Sequence, residues 1–579
     1  MENSDPQQFT TPSSATPPEK DPETTAPRRV DRSLWRDPAV PSKRYLDSVD
    51  GRVLDPGTAL SVQGVRPRST VYVGPRLTVS RLFDIDNLLA KLAVTAQVLG
   101  WEAEVDGRRV EPDRELASRP PATERSGRLG VVRVTLVVAT GSATQAPDGW
   151  VLLQHARAAY GLAAMHGVGL DHMVFLRPID PNPVHDPNPV HDPNPVHDPN
   201  PVHDPNPVHD PNPVHDPNPV HDTNPAGVPT SAAVSSYAYA GSGGRQPISY
   251  VGPPPVRRPA EAIVGRRPVV ATLDTGCGEH PWLTGVVRRD VTVDGEPIGY
   301  DDQATDPELF PDQVGALDGG IDPYAGHGTF ICGLIHQACP DADIVAWRLV
   351  GSSGPIVESD LVEALARIAE VARRHRDGET GGHPIDILTL SMGYYHETPE
   401  DLLFDPTIYE ILRLLGECGT VVVCSAGNDA TARPMFPAAF TPWLDGNGPV
   451  SVRPDVVPIV SVGALNPNGT DALFTNAGPW VRAHVTGAAV MSTMPDFQGG
   501  LQPMARTEAY QRVRESLDPD DFSGLFAVWS GTSFAAPLFA GRMAAQMVEM
   551  LTGEHLHEDR AAARERGWAA VSATTDLAP

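Results

Sequence analysis

Positive charge is scarce in this 579-residue sequence: 45 Lys and Arg stand against 73 Asp and Glu, for a formal charge of −28 at neutral pH. Such a balance disfavours non-specific binding to nucleic acid or to an anionic membrane, both of which need a basic face. Cysteine is scarce too. Cys277, Cys332, Cys339, Cys418 and Cys424 all lie in the second half and lack the paired short spacing of a zinc knuckle, so they read as buried reduced thiols. No apolar run approaches the ~18 residues of a membrane span. The opening stretch MENSDPQQFTTPSSATPPEKDPETTAPRRV has neither a basic nor an apolar segment of the kind that directs export, and a cytoplasmic protein is expected.

Proline, by contrast, is abundant: 61 residues, about twice ordinary usage. Residues 1–66, rich in Pro, Ser, Thr and charge, have the composition of a disordered tail. From Pro181 to Asp222 the hexapeptide PNPVHD recurs seven times without a substitution. Two prolines in every six residues exclude helix and central strand and favour extended, polyproline-like chain. In that form the histidines share one edge at roughly 19 Å intervals, whereas a metal ion needs its nitrogen ligands at roughly 2 Å. The repeats therefore read as a spacer, on the order of 130 Å at full extension, and not as a metal ladder.

Regular patterning begins near residue 67. STVYVGPRLTV, WEAEVDG, GVVRVTLVVAT and HMVFLRP read as strands; DNLLAKLAVTAQVLG and DGWVLLQHARAAYGLA read as helices. The resulting βαββαβ order over 67–178 predicts a small α+β, ferredoxin-like domain. Residues 179–266 hold the repeats and a loose linker. Over 267–556 the runs PVVATLD, ADIVAWRLV, IDILTLS, GTVVVCSAGN and PIVSVGAL alternate with helical stretches, which predicts an α/β domain whose parallel sheet is sandwiched by helices. Residues 557–579 are expected to form a C-terminal helix or tail.

Three stretches of the α/β region carry the residue types of nucleophilic catalysis: VVATLDTGCG around Asp274, GHGTFICGLI around His327 and WSGTSFAAPLFAG around Ser533. A serine hydroxyl needs a base at neutral pH, and an imidazole base needs a carboxylate to fix its tautomer and stabilise its cation. The strand VVVCSAGND ends on Asn428, whose amide suits an oxyanion donor. Taken singly, an Asp before Thr-Gly is commonly a turn or cap, an Asn after Ala-Gly a left-handed turn, and a Ser at this position an N-cap.

In the order Asp, His, Asn, Ser, these motifs closely resemble those of the subtilisin-like serine proteases, SGTSFAAP being the most specific. The resemblance implies a serine endopeptidase acting through a Ser-His-Asp triad and an acyl-enzyme, with Ser533 as nucleophile, His327 as base, Asp274 as orienting acid and Asn428 as oxyanion donor. It further implies a polypeptide substrate running beside Ser391, Met392 and Gly393 and beside Ser425, Ala426 and Gly427. No cofactor is required for that chemistry, and structural calcium is left unassigned. Relatives often carry a βαββαβ prodomain that assists folding and blocks the cleft, so the N-terminal domain is expected either to inhibit the enzyme or to recruit a partner protein. Two departures stand out: a long acidic loop between Asp274 and His327, and the insertion PDFQGGLQPMARTEAYQRVRESLDPDDFSG before the serine motif. The rival reading is a non-catalytic or latent protease-fold scaffold; its hallmark, a lost triad residue, is missing from the sequence.

If the repeats only set distance, deleting three or four copies leaves peptide hydrolysis unchanged; a loss of hydrolytic rate in the shortened chain would refute the spacer reading.

Overall fold

The computed structural model describes residues 34–579 apart from 39, 42, 63, 121–127, 143, 177–233, 235–236, 238–242, 353, 399–406 and 553–555. The PNPVHD repeats and the first 33 residues lie outside this set. Near the N-terminus six principal elements follow one another: β1 Thr70–Ser80, α1 Ile85–Val98, β2 Trp101–Val105, β3 Val131–Val138, α2 Gly149–Tyr160 and β4 Val168–Leu176. Their strands lie in the order β4-β1-β3-β2, with every neighbouring pair antiparallel. Both helices start on an aspartate cap: Asp84 accepts from Asn87 N–H at 3.2 Å and Asp148 from Val151 N–H at 3.0 Å. Leu88, Leu92 and Ala96 of α1, with Trp150 and Leu153 of α2, pack on the sheet around Leu77, Val79 and Val134.

The expected boundary at residue 66 does not mark the first described element. A short helix, Lys43–Asp47, and a strand, Gly51–Leu54, precede it, the strand pairing antiparallel with β1 from Gly51↔Val73 to Leu54↔Thr70. Four residues hold too few apolar side chains to register as a pattern, and this strand takes its hydrogen bonds from an edge elsewhere in the chain. Part of the expected linker also packs on the α/β region before residue 266: Arg245 donates to the carbonyls of Ile321, Asp322 and Ala325, and Gln246–Pro247 pairs with Ala527–Val528.

The α/β region follows: β5 Val269–Asp274, β6 Val287–Arg288, α3 His327–Ala338, β7 Asp343–Arg348, β8 Ile356–Val357, α4 Glu358–Arg376, β9 Ile387–Leu390, β10 Met392–Gly393, α5 Thr407–Glu417, β11 Val421–Ser425, β12 Val460–Leu465, β13 Ala483–Thr486, α6 Thr532–Leu551 and α7 Arg560–Thr574. Seven strands form one sheet in the order β13-β12-β11-β9-β5-β7-β6, all pairs parallel. Its core strands are buried along their length, as the continuous Val/Ile/Leu runs required. On α4 the stripe Leu361, Leu365, Ile368 and Ala372 is buried, as its helical spacing predicted. All five cysteines are buried free thiols. No helix among the described residues is long and apolar enough to cross a membrane.

Arg32–Pro579 is one compact unit, and β4 is the seam within it. The tip of β4 lies between two short strands of the α/β region, pairing antiparallel with β8 (Val174↔Ile356, Met173↔Val357) and with β10 (Leu176↔Met392, Phe175↔Gly393).

Just before β9, the buried Asp386 accepts from Arg266 at 2.5 and 2.7 Å, Arg376 at 3.3 Å and Val269 N–H at 2.9 Å. Burial would raise its pKa, but the two guanidiniums outweigh it and hold the carboxyl below its usual range. Asp386→Ala is expected to cost about 3 kcal/mol, the lower end for a broken buried pair because Glu558 still meets both arginines. Since the folded pKa is depressed, the contribution is full above about pH 4 and is lost as the pH falls further. Denaturation midpoints of wild type and variant should therefore converge in acid.

Candidate active site

Strand order reverses at β5, the kind of position at which open α/β sheets place their chemistry. Asp274 is the last residue of β5 and is wholly buried. Its Oδ1 accepts from Thr275 N–H at 2.8 Å and lies 2.7 Å from His327 Nδ1. His327 opens α3, and Gly326 before it takes φ 80°, a left-handed value that glycine reaches without strain. Its ring is fully buried, 5.2 Å from that of Phe534 and 5.6 Å from that of Trp529 between centroids. The bond to Asp274 sets the tautomer, with the proton on Nδ1 and the lone pair on Nε2. That Nε2 is buried and has no hydrogen-bond partner among the described residues.

Ser533 is the second residue of α6, four positions before Pro537. Proline has no N–H, so the Ser533 carbonyl loses its helical donor. Ser391 replaces it, donating its hydroxyl to that carbonyl at 2.9 Å, while Ser533 Oγ donates to the Ser391 carbonyl at 3.4 Å. The structure thus joins Asp274 to His327 and Ser533 to Ser391. The serine hydroxyl rests on a carbonyl and makes no hydrogen bond to His327 Nε2.

Asn428 lies three residues beyond β11. Its Oδ1 accepts from Thr532 N–H at 2.9 Å and from Thr532 Oγ1 at 2.8 Å, which turns the amide nitrogen away from Thr532. Gly427 before it has φ 102°, and a Cβ there would fall 2.4 Å from Asn476 Nδ2. Asn476, within the run FTNAGPW, holds the loop by accepting from Asp429 N–H and donating to the Ala426 carbonyl.

The two expected substrate-side segments differ. Met392 and Gly393 form a real strand edge, the one that pairs with β4. Ser425 ends β11, and the backbone groups of Ala426 and Gly427 are already engaged: Ala426 N–H with Val462, Gly427 N–H with Thr532 Oγ1, and their carbonyls with Asn476. The second edge beside β4 is instead Ile356–Val357, a two-residue strand too short to show periodicity. Tyr324, three residues before His327, donates its hydroxyl to the Leu176 carbonyl at 2.9 Å.

A second buried polar cluster lies on the seam. His172 of β4 places Nδ1 2.5 Å from Glu358 and Nε2 2.7 Å from Glu397, and its ring stacks on Tyr394. Burial alone would lower its pKa, but the two carboxylates outweigh that and push it up to about 10. Neighbouring His396 is driven down to about 4 by burial. His172, His396 and Glu397 have donor atoms within 4.8 Å of one another, the one such group among the described residues spaced to hold a metal ion. Both nitrogens of His172 already meet carboxylates, an arrangement that suits an imidazolium.

Comparison with known proteins places the chain in a family. The profile described as the Subtilase family matches residues 265–561, just over half of the chain. An intracellular serine protease of Paenibacillus polymyxa is 24% identical over 310 residues, covering 51% of this chain and 70% of that protein. The major intracellular serine protease of Bacillus subtilis (strain 168) is 22% identical over 257 residues, covering 42% of this chain and 64% of that protein. Among solved structures, fervidolysin from Fervidobacterium pennivorans aligns over 86% of this chain and 57% of its own, with a TM-score of 0.40 and 17% identity. The chain belongs to the subtilase family of subtilisin-like serine peptidases.

Proposed function

We propose that the protein is a serine endopeptidase whose own N-terminal domain lies across its cleft as an inhibitor. The observation that carries the reading is the buried 2.7 Å contact between His327 Nδ1 and Asp274, at the end of β5 and against the helix that presents Ser533. In this mechanism the Ser533 hydroxyl leaves the Ser391 carbonyl and gives its proton to His327 Nε2 as Oγ attacks the peptide carbon. Asp274 stabilises the imidazolium. The Ser533 N–H and the Asn428 amide stabilise the tetrahedral oxyanion. His327 then protonates the leaving amine, and water resolves the acyl-enzyme by the same steps in reverse. The sequence asks for no metal in this chemistry, and calcium has no step in it.

Several contacts support self-inhibition. The strand order β4-β1-β3-β2 supports the ferredoxin-like reading of the N-terminal domain, and β4 enters the α/β region as an extended segment paired on both edges, the backbone arrangement of a bound peptide. Asp171 accepts from Ser359 N–H and Ser359 Oγ, both at 3.0 Å, and so caps α4 from the other domain. The Leu176 carbonyl meets Tyr324, three residues before His327, and a cut between Arg177 and Arg267 would convert a docked domain into a dissociable one. A cytoplasmic site of action is consistent with the intracellular serine proteases among the relatives.

Intact-mass spectrometry of wild type and Ser533→Ala after exposure to a fluorophosphonate tests the enzyme. Expected are a label on Ser533 and, in wild type only, a cut between Arg177 and Arg267. In subtilisin, loss of the nucleophile costs about 10⁶ in kcat and loss of the oxyanion asparagine about 10² to 10³; Ser533→Ala and Asn428→Ala should follow that order. No label on either the intact or the trypsin-nicked wild-type chain would favour the scaffold.

The seam makes its own prediction. A histidine whose folded pKa is raised contributes fully below about pH 6.5, and that contribution fades as the pH rises toward the folded value. Hydrogen exchange of the β4 amides in Ser533→Ala should therefore speed up between pH 7 and 10, after correction for intrinsic rates. In His172→Gln the same amides should exchange faster at pH 7 and lose that dependence.

A further inference from the structure

We propose that Glu308 is a positioning residue for the triad, tying the orienting acid to the base from behind and adding a second negative charge beside it. The inference rests on the peptidase reading. Glu308 belongs to the acidic loop between Asp274 and His327, a departure from the family pattern without an assigned role, yet it is only 2% exposed. Thr275 Oγ1 donates to Glu308 Oε1 at 2.5 Å, and Thr329 Oγ1 donates to Oε2 at 2.5 Å. Gly328 N–H points at both Thr275 Oγ1, at 2.7 Å, and Glu308 Oε1, at 3.0 Å. Thr275 follows Asp274, and Gly328 and Thr329 follow His327. One carboxyl thus spans the two segments whose separation sets the Asp274–His327 hydrogen bond.

Local chemistry explains why such a group is needed. The cap of α3 is Gly326, which has no side chain to satisfy the first N–H groups of the helix. Glu308 supplies an acceptor from the loop, and its charge sits at the positive end of the helix. The nearby carboxylates of Asp306 and Asp274 raise the cost of ionising Glu308. Burial, the larger cause, pushes the Glu308 carboxyl up to about 7 against the pull of the two threonine hydroxyls. When ionised, it favours the imidazolium that forms as His327 takes the serine proton. Above neutrality, geometry and charge therefore act together, through Asp274 and α3, without Glu308 touching substrate.

The test uses the full chain in three forms: wild type, Glu308→Gln and Thr329→Ala. The readouts are the titration of the downfield His327 Nδ1–H proton resonance, which needs no turnover, and kcat and KM on a peptide substrate wherever wild type is active. Glu308→Gln should lower the proton affinity of His327 about tenfold, a shift of one pKa unit in a neighbour's charge. It should lower kcat about 10²-fold with little change in KM, as expected when a reacting pair is misplaced. Thr329→Ala, which removes one arm and keeps the charge, should lower kcat less and leave the titration near wild type. A reduced melting temperature with unchanged His327 titration and unchanged kcat in Glu308→Gln would make Glu308 a helix cap only and overturn the proposal. Should that variant fail to fold, an unchanged kcat in Thr329→Ala overturns it, and for an inactive wild type an unchanged His327 resonance position does so. A wild type that neither hydrolyses peptide nor labels at Ser533, but whose His327 titration responds to Glu308→Gln, defeats the peptidase reading and leaves the coupling standing.

Discussion

The arrangement depends on a hydrogen bond kept out of water. Asp274 and His327 meet at 2.7 Å with neither side chain exposed, so the carboxylate cannot exchange its partner for solvent and the imidazole cannot turn over. In low dielectric a misdirected imidazole would cost far more than at a surface. Everything around the pair serves to bring two distant segments together: a parallel sheet that delivers Asp274 at a strand end, a left-handed glycine that opens α3 on His327, and two aromatic rings, Phe534 and Trp529, against the imidazole. Ser533 is held more loosely by comparison. Its Oγ rests on the Ser391 carbonyl at 3.4 Å and makes no hydrogen bond to His327 Nε2.

Backbone accounting explains several residues whose types alone say little. Pro537 removes one donor from α6, and Ser391 returns it through its hydroxyl. Gly427 and Asn428 turn away from β11, and Asn476 and Thr532 take up the backbone and side-chain groups that the turn leaves without a ladder. Each loop is therefore held by side chains from another motif. The motifs are interdependent because each satisfies polar groups that its own strand or helix cannot.

The seam follows the same logic between domains. β4 is buried at every residue, although its one edge belongs to the N-terminal sheet and its tip lies among strands of the α/β region. Its Asp171 and His172 are neighbours with opposite surroundings. Asp171 meets the N-terminus of α4, and His172 meets two carboxylates. Backbone pairing gives the seam its register, and these charges make it specific to this strand, since an apolar residue at 172 would take from Glu358 and Glu397 the imidazole that both now meet.

Much of this was determined by sequence alone. Runs such as VVATLD and TVVVCS, alternating with helical stretches, read as buried parallel strands, the stripe on α4 reads as a core-facing side, and Asp, His, Asn and Ser stand in motifs dense enough to be read together. These are local patterns, and local sterics and apolar periodicity write them into adjacent residues. Tertiary structure alone decided the rest. Gly51–Leu54, Ile356–Val357 and Gln246–Pro247 are strands only because an edge from elsewhere reaches them, and two to four residues carry no period of their own. Nothing in the sequence singles out Glu308 in its loop or His172 in its strand. Their meaning comes from partners as near as 20 and as far as 225 residues away, which no spacing along the chain encodes. Side-chain chemistry is a property of sequence; which groups are forced to share a buried space is a property of the fold.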